Sequence, residues 1–256
     1  MAVEAVVPPR PASVKEASLG RAWWVEPAFT VVAYSAFFIY ATWSVVSGTN
    51  VVFAPYVSPF FSQWLGLGLI RIPVIGLLLP LLAIFPLGLR VSCYYYRKSY
   101  FRAFFWDPPA CAIQELKRGQ YHGETRFPWV LNNYHRYFLI LSLVAVYFLW
   151  VDTIHAFAYQ GHFFVGLGSL IMLINVILLT LYSLTCHSLR YLMGGRIDAY
   201  SRARFGKIWR RITMVLNQMN PRHGAWAWVS MFSVGLTDIY IRLLMAGIVH
   251  EPRWIS

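Results

Sequence analysis

Charge is scarce in this sequence: Asp, Glu, Lys and Arg together make 12% of 256 residues, where a soluble domain carries about a quarter. With 58% of the residues hydrophobic, water cannot be the main solvent of this surface, and a soluble globular domain is excluded. Acid is scarcer than base, 10 Asp and Glu against 22 Lys and Arg. Three cysteines, Cys93, Cys111 and Cys186, are too few and too odd in number for a disulfide framework, which leaves buried thiols or metal ligands. No Gly-rich loop follows a strand pattern and no ferredoxin-like cysteine run occurs, so neither a flavin nor clusters of that type are expected in this chain. No internal repeat is visible, which weakens an inverted-repeat transporter reading. Val3 to Lys15 is Pro-rich and polar and offers no cleavable secretory signal.

Long apolar runs are what the sequence has in abundance. A crossing of the bilayer takes roughly 20 apolar residues. Runs of that kind lie at Phe29 to Val46, Ile72 to Tyr96, Tyr137 to Phe157, Phe164 to Leu189 and Trp226 to Val249. The expected fold is an all-α integral membrane protein, a bundle of about five transmembrane helices over residues 28–250, with tails at 1–27 and 251–256. Pro73, Pro80 and Pro86 in the second run predict a kink that neighbouring helices can satisfy. Trp23, Trp24, Trp64, Trp129 and Trp254 fall near span ends, as interfacial anchors do. Val51 to Gly68 mixes Pro and aromatics with few charges, as an outer loop or an in-plane helix does.

The net charge of +12 would suggest nucleic acid in a soluble protein, but here the cations are sorted by side and no nucleic acid is expected. Three lie in the N-terminal tail, eight between Arg90 and Arg136, and eight between Arg190 and Arg222, while the connections after spans one and three are almost free of them. The positive-inside rule then puts the N-terminus and the 2–3 and 4–5 connections in the cytoplasm and the C-terminus outside, a multi-pass protein of the cell membrane.

Five soft or imidazole groups gather at the cytoplasmic level of this topology: Cys93 and Cys111 around the end of span two, His135 at the start of span three, and Cys186 and His187 at the end of span four. Quinone chemistry needs an apolar slot, donors to two carbonyls and a proton source. Tyr94, Tyr95, Arg97, Tyr134, His135, Arg136, Ser188 and Arg190 supply donors at that depth. In span five Asp238 and Arg242 are spaced i, i+4, which predicts a structural ion pair inside the membrane. Lining a small-molecule pathway, in a transporter or channel, is the competing reading of those two. Asp152 and His155 fall i, i+3 near the outer end of span three, as a water-facing helix end or as part of a second quinone pocket.

The runs Cys93-Tyr-Tyr-Tyr-Arg-Lys98, Pro108-Pro-Ala-Cys111, Asn133 to Phe138, Cys186 to Arg190 with Gly194-Gly195, and Thr237-Asp-Ile-Tyr-Ile-Arg242 resemble the membrane-anchor subunit of bacterial succinate dehydrogenases. The similarity is to the single-anchor, five-helix type of mycobacteria and related bacteria, and it extends from about Val25 to the end. Tyr191 departs from it, standing where relatives carry a histidine. The resemblance implies a chain not catalytic by itself that passes electrons from a soluble iron-sulfur subunit to quinone, menaquinone in that kind of bacterium. FAD and the other iron-sulfur clusters would sit in the flavoprotein and iron-sulfur partners, docked on the cytoplasmic side. For a prosthetic group in this chain the residues leave alternatives. One is a [2Fe-2S] cluster with mixed ligands, from Cys93, Cys111, His135 and one of Cys186 or His187, since that adjacent pair points about 100° apart on a helix. A second is haem b held by His135 and His187. The third is no metal at all.

Overall fold

The computed structural model describes residues 22–47, 51–61, 86–106, 125, 127, 129–159 and 161–255. Most of the second expected span, the Cys111 segment and Trp64 lie outside those residues. Four stretches among the described residues are long and apolar enough to cross a membrane: Val25–Val45, Val130–His155, Leu167–Leu184 and Gly206–Met245. They belong to helices α1 (Val25–Val46), α3 (His135–His155), α4 (Leu167–Leu184) and α7 (His223–Met245). At 1.5 Å per residue, α1 and α7 are each about 33 to 35 Å long, enough to traverse the hydrocarbon of a bilayer. The protein is an all-α integral membrane protein. Glu26 in the first turn of α1 complements the helix dipole, and Pro27 is tolerated there because first-turn N–H groups need no partner. Ile39, Val32, Leu236 and Ile154 stand out from the bundle, and in lipid such side chains cost nothing, because hydrocarbon surrounds them as it would in a core.

Two clusters of buried side chains form the core, with α4 against α7 the most extensive contact, α3 on α4, and α1 against α7 and against α2 (Tyr94–Phe104). Small and aromatic side chains alternate in it: Ala33, Ala41 and Ala227 admit Tyr34, Phe37, Tyr96 and Tyr182. Two helical paths are interrupted. Residues 86–92 are helical and stop at Cys93, after which α2 begins. The path expected from Phe164 to Leu189 runs as α4 to Leu184, breaks at Cys186, and resumes as the short α5 (His187–Arg190). A wide turn over Tyr191–Gly195 then reverses the chain. Its Gly194 has φ +118°, and a Cβ there would lie 2.7 Å from Thr213 Oγ1 of α6 (Gly206–Met219), so only glycine fits. A 3-10 turn at Asn220–Arg222 joins α6 to α7.

The other end of the bundle is closed by short strand pairs, two of them hairpins. β1 (Val52–Phe53) pairs with β2 (Tyr56–Val57), β3 (Ala158–Tyr159) with β4 (His162–Phe163), and β5 (Val165–Gly166) with β6 (Arg253–Ile255), all antiparallel. Of the two forms expected for the connection after α1, residues 51–61 take the loop, folded as a hairpin that buries Val51, Tyr56 and Val57. Glu251 fastens it: its carboxylate accepts hydrogen bonds from Tyr56 (2.7 Å), Tyr240 (2.6 Å) and the Gly168 N–H (2.9 Å). Burial raises the Tyr56 hydroxyl well above the usual phenol range, so it remains a donor.

Beneath that closure Asp238 and Arg242 are paired at 2.8 Å, with Asp238 wholly buried and Arg242 only partly so. The carboxylate also accepts from Tyr40 and Ser58, and from Ser44 at 3.3 Å, while Arg242 donates to Ser44 at 2.8 Å and lies over the Trp43 ring. Three hydroxyls and a guanidinium therefore share the charge of one carboxylate, and α1, α7 and the β-hairpin meet on it. Breaking a buried pair from one side costs about 3 to 5 kcal/mol. Asp238→Leu or Arg242→Leu alone is expected to abolish most recovery of folded protein from detergent. The double variant should recover part of it, and only part, since three hydroxyls stay without their acceptor. A double variant as poor as the two losses combined would show that the charges are not coupled.

Candidate functional site

The two helix breaks have the same local form. Cys93 (φ −65°, ψ 130°) and Cys186 (φ −65°, ψ 134°) are both extended residues that precede a new helical segment. Each follows a hydroxyl residue, Ser92 and Thr185. Each faces a histidine that opens a membrane helix, His135 at the start of α3 and His223 at the start of α7. The pairing is crossed. His135 Nε2 lies 3.2 Å from Cys186 Sγ, and its Nδ1 is 3.0 Å from Ser92 Oγ, beside the other cysteine. His223 Nε2 lies 3.4 Å from Cys93 Sγ, and its Nδ1 is 2.9 Å from Thr185 Oγ1. Two thiols and two imidazoles thus come together from four separate elements, each ring held by one nitrogen and presenting the other to a sulfur.

Around them the environment is dry and aromatic. Cys93, Cys186 and His223 are buried. Tyr182 stacks on the His223 ring (centroids 5.0 Å apart, 12° between planes), and the Arg90 guanidinium lies 4.8 Å from the centre of the Tyr182 ring. Arg90 is itself only 4% exposed. It donates to the Ala227 carbonyl and to Ser230 Oγ of α7, both at 3.0 Å, and to the Tyr96 hydroxyl, which in turn donates to the Ala227 carbonyl. A buried cation survives where every donor finds an acceptor and aromatic faces cover the rest.

Of the residues singled out from the sequence, the structure brings together Cys93, His135 and Cys186, and adds His223, which stands just before the last apolar run. Cys111 lies outside the described residues. His187 is exposed and meets His223 edge to face at 6.1 Å between centroids. His187 therefore lies at the exposed edge of the cluster, toward His223, rather than in its buried centre. Among the described residues no group of three His, Cys, Asp or Glu side chains closes as a single metal ion would require. The donors come instead as two sulfur-nitrogen couples. The free nitrogen of each imidazole is Nε2 and the other is held by a hydroxyl, the outer-shell support that metal-binding histidines usually have.

The expected quinone donors are distributed around this cluster. Tyr94 and Tyr95 line a cavity of about 1220 Å³, counted out to its mouth, together with Glu26, Lys98, Arg102, His187 and His223. Gly224 forms part of that wall, and a Cβ on it would come within 2.5 Å of the Tyr95 ring. Tyr134 and Arg136 are exposed at the head of α3, Ser188 is half-buried, and Arg190 donates to Asn217 Oδ1 at 2.8 Å. The Arg97 side chain lies outside what is described. Asp152 is buried and His155 exposed, near the hairpin end of α3.

Known proteins give a consistent likeness. The family model for the actinobacterial succinate dehydrogenase subunit SdhC matches residues 25–247. A solved chain of the Mycobacterium smegmatis Sdh1 complex in the apo form superposes with a TM-score of 0.76 at 34% sequence identity, covering 97% of this chain and 98% of that one. Among curated proteins nothing matches.

Arg90 connects the segment before Cys93 to α7, so Arg90→Met should separate packing from charge. The side chain nearly fills the same space but leaves Ser230 and the Ala227 carbonyl without their charged donor, a loss of about 3 kcal/mol for hydrogen bonds to a charged group. A midpoint of thermal unfolding unchanged from the parent would show that Arg90 does not brace the site.

Proposed function

The chain belongs to the family of actinobacterial succinate dehydrogenase subunit SdhC, and we propose that it anchors the flavoprotein and iron-sulfur subunits of a succinate dehydrogenase to the membrane and delivers their electrons to quinone, menaquinone being the expected acceptor. The observation that carries the reading is the crossed Cys–His cluster beside the polar cavity of Tyr94 and Tyr95. Electrons arriving from a soluble iron-sulfur subunit need a landing point near the membrane surface. Quinone needs a nearby pocket with donors and access to protons.

In this proposal the end of the bundle bearing α2, α5 and α6 faces the cytoplasm, and the bundle has five spans, the second passing through residues 72–96. Lys98, Arg102, Arg136, Arg202, Arg210 and Arg211 then present a positive surface to the soluble partners, with anionic lipid head groups as competitors. The quinone ring enters the cavity of Tyr94, Tyr95 and Lys98, whose hydroxyl and ammonium groups donate to its carbonyls. Its wide mouth admits the protons that reduction consumes. A transport pathway along Asp238 and Arg242 is disfavoured, because their partners occupy the carboxylate on every side.

For the prosthetic group, the donor chemistry favours a [2Fe-2S] cluster held by Cys93, Cys186, His135 and His223. When bound, such a cluster supplies a one-electron relay between the soluble clusters and quinone. Ser92 and Thr185 hold the imidazoles by Nδ1, and Tyr182 and Arg90 keep the pocket dry.

His135→Ala and His223→Ala are each expected to cut quinone-linked succinate oxidation at least tenfold, while oxidation coupled to a soluble dye stays near the parent rate. Equal loss in both assays would mean failed assembly. Iron and acid-labile sulfide in the purified complex should exceed what the soluble subunits carry, by two of each per chain, and both variants should lose that excess. No excess in the parent complex overturns the cluster. Orientation has its own check. Single cysteines introduced at Arg102 and Arg210 should react with a membrane-impermeant maleimide only from the cytoplasmic side, and labelling from outside would reverse the topology.

A further inference from the structure

One charge beside the crossed cluster has no counter-charge. Arg90 is buried, and its hydrogen-bond partners among the described residues are all neutral: the Ala227 carbonyl, Ser230 Oγ and the Tyr96 hydroxyl. They satisfy the guanidinium donors and leave a full positive charge inside the bundle. Such a charge is costly in a dry interior unless an opposite one answers it. The buried carboxylates do not. Asp238 lies about 12 Å along α7 from Ser230 and is already paired with Arg242, and Asp152 sits about 25 Å along α3 from His135.

What Arg90 does face is the Cys–His site. Its backbone carbonyl accepts from the Cys93 N–H at 3.2 Å. Its guanidinium lies 4.8 Å from the centre of the Tyr182 ring, which stacks on His223 with centroids 5.0 Å apart. The cation is therefore within about 10 Å of that imidazole, a range over which Coulomb attraction through a dry interior stays strong. Lys98, Arg102 and His187 line the polar cavity, where solvent and salt weaken their reach. We infer that Arg90 sets the reduction potential of the group held by Cys93, Cys186, His135 and His223, keeping it high enough to take electrons that originate in succinate. Charge arithmetic gives the direction. With two thiolates and two neutral imidazoles as ligands, two ferric ions and two sulfides sum to zero, and the single electron delivered by the iron-sulfur subunit leaves one negative charge. Arg90 meets an opposite charge only in that reduced state, so it favours uptake of the electron. Passing the electron on restores neutrality, and a quinone is reduced by two such electrons with two protons.

The inference rests on the cluster reading of the site, and one set of measurements separates their fates. The purified whole complex is titrated with redox mediators while the reduced group is followed by paramagnetic resonance, which reads only the copies that hold it. Arg90→Gln removes the charge. Ser230→Asp leaves Arg90 in place and sets a carboxylate beside it, because Ser230 Oγ already accepts from the guanidinium at 3.0 Å. Ser230→Ala removes the same acceptor and adds no charge. The first two should lower the ratio of reduced to oxidised group at a fixed poise at least tenfold, about 59 mV for one electron, and Ser230→Ala should keep it within twofold. A purely structural role predicts no such split between the two Ser230 variants. An unchanged potential in either charge variant that keeps the group, or equal shifts in all three variants, overturns the inference and leaves the cluster standing. A parent complex with no reduced signal and no excess iron and sulfide overturns both. Should both charge variants lose the group, the parent decides: succinate alone should reduce it, and a group that only dithionite reduces overturns the inference.

Discussion

A guanidinium with no access to water governs the arrangement of this bundle. Arg90 has to find acceptors inside the protein, because lipid offers none and the cost of an unpaired charge there exceeds most single packing gains. It finds them on α7, at Ala227 and Ser230, and so fixes the height at which α7 meets the segment leading to Cys93. That height brings His223 opposite Cys93. The same cation stacks on Tyr182, which sets the rotation of α4 and with it the place of Cys186. Packing alone would allow α4 and α7 to slide, since leucines and valines against lipid or against one another are nearly equivalent. The charge removes that freedom.

A second ionic centre does the same work at the other end. Asp238 gathers Tyr40 and Ser44 from α1 and Ser58 from the hairpin, so two buried charges of opposite sign, one near each end, hold the bundle in register. Membrane bundles commonly confine polar groups to such internal places and leave the outside featureless.

Four of the five expected spans have a counterpart among the described residues, legible because some twenty apolar residues in a row have few other fates, and the Asp238–Arg242 pair was legible because a helix puts residues four apart on one face. The hairpin of residues 51–61 was only half legible: its composition excluded a span but did not distinguish a loop from an in-plane helix. At the site, Cys93, His135 and Cys186 could be found by their common depth. His223 could not, since it stands 130 positions from its sulfur partner and looks like one more polar residue at a span boundary. One signal was available. Ser92-Cys93 and Thr185-Cys186 are the same hydroxyl–cysteine step, each just before a helix restarts, and two matching breaks ask for two matching partners. Among the described residues only His135 and His223 are histidines that open membrane helices at that level. The helix break at Cys186 was not legible, because an apolar pattern does not reveal it.

The crossing of the two couples also bears on how the protein is made. Ser92 and Cys93 leave the ribosome early, His135 and Cys186 follow, and His223 comes at the head of the last helix. The His135–Cys186 couple closes within the hairpin of α3 and α4, whereas the Cys93–His223 couple closes across the bundle and waits for the last helix. A chain released before its final span carries one finished couple, a thiol at residue 93 with nothing opposite it, and a buried arginine lacking two of its acceptors. Such an intermediate is poorly packed where the complete protein is driest. The Cys93–His223 couple and the last two acceptors of Arg90 are therefore in place only once the final helix has joined the bundle.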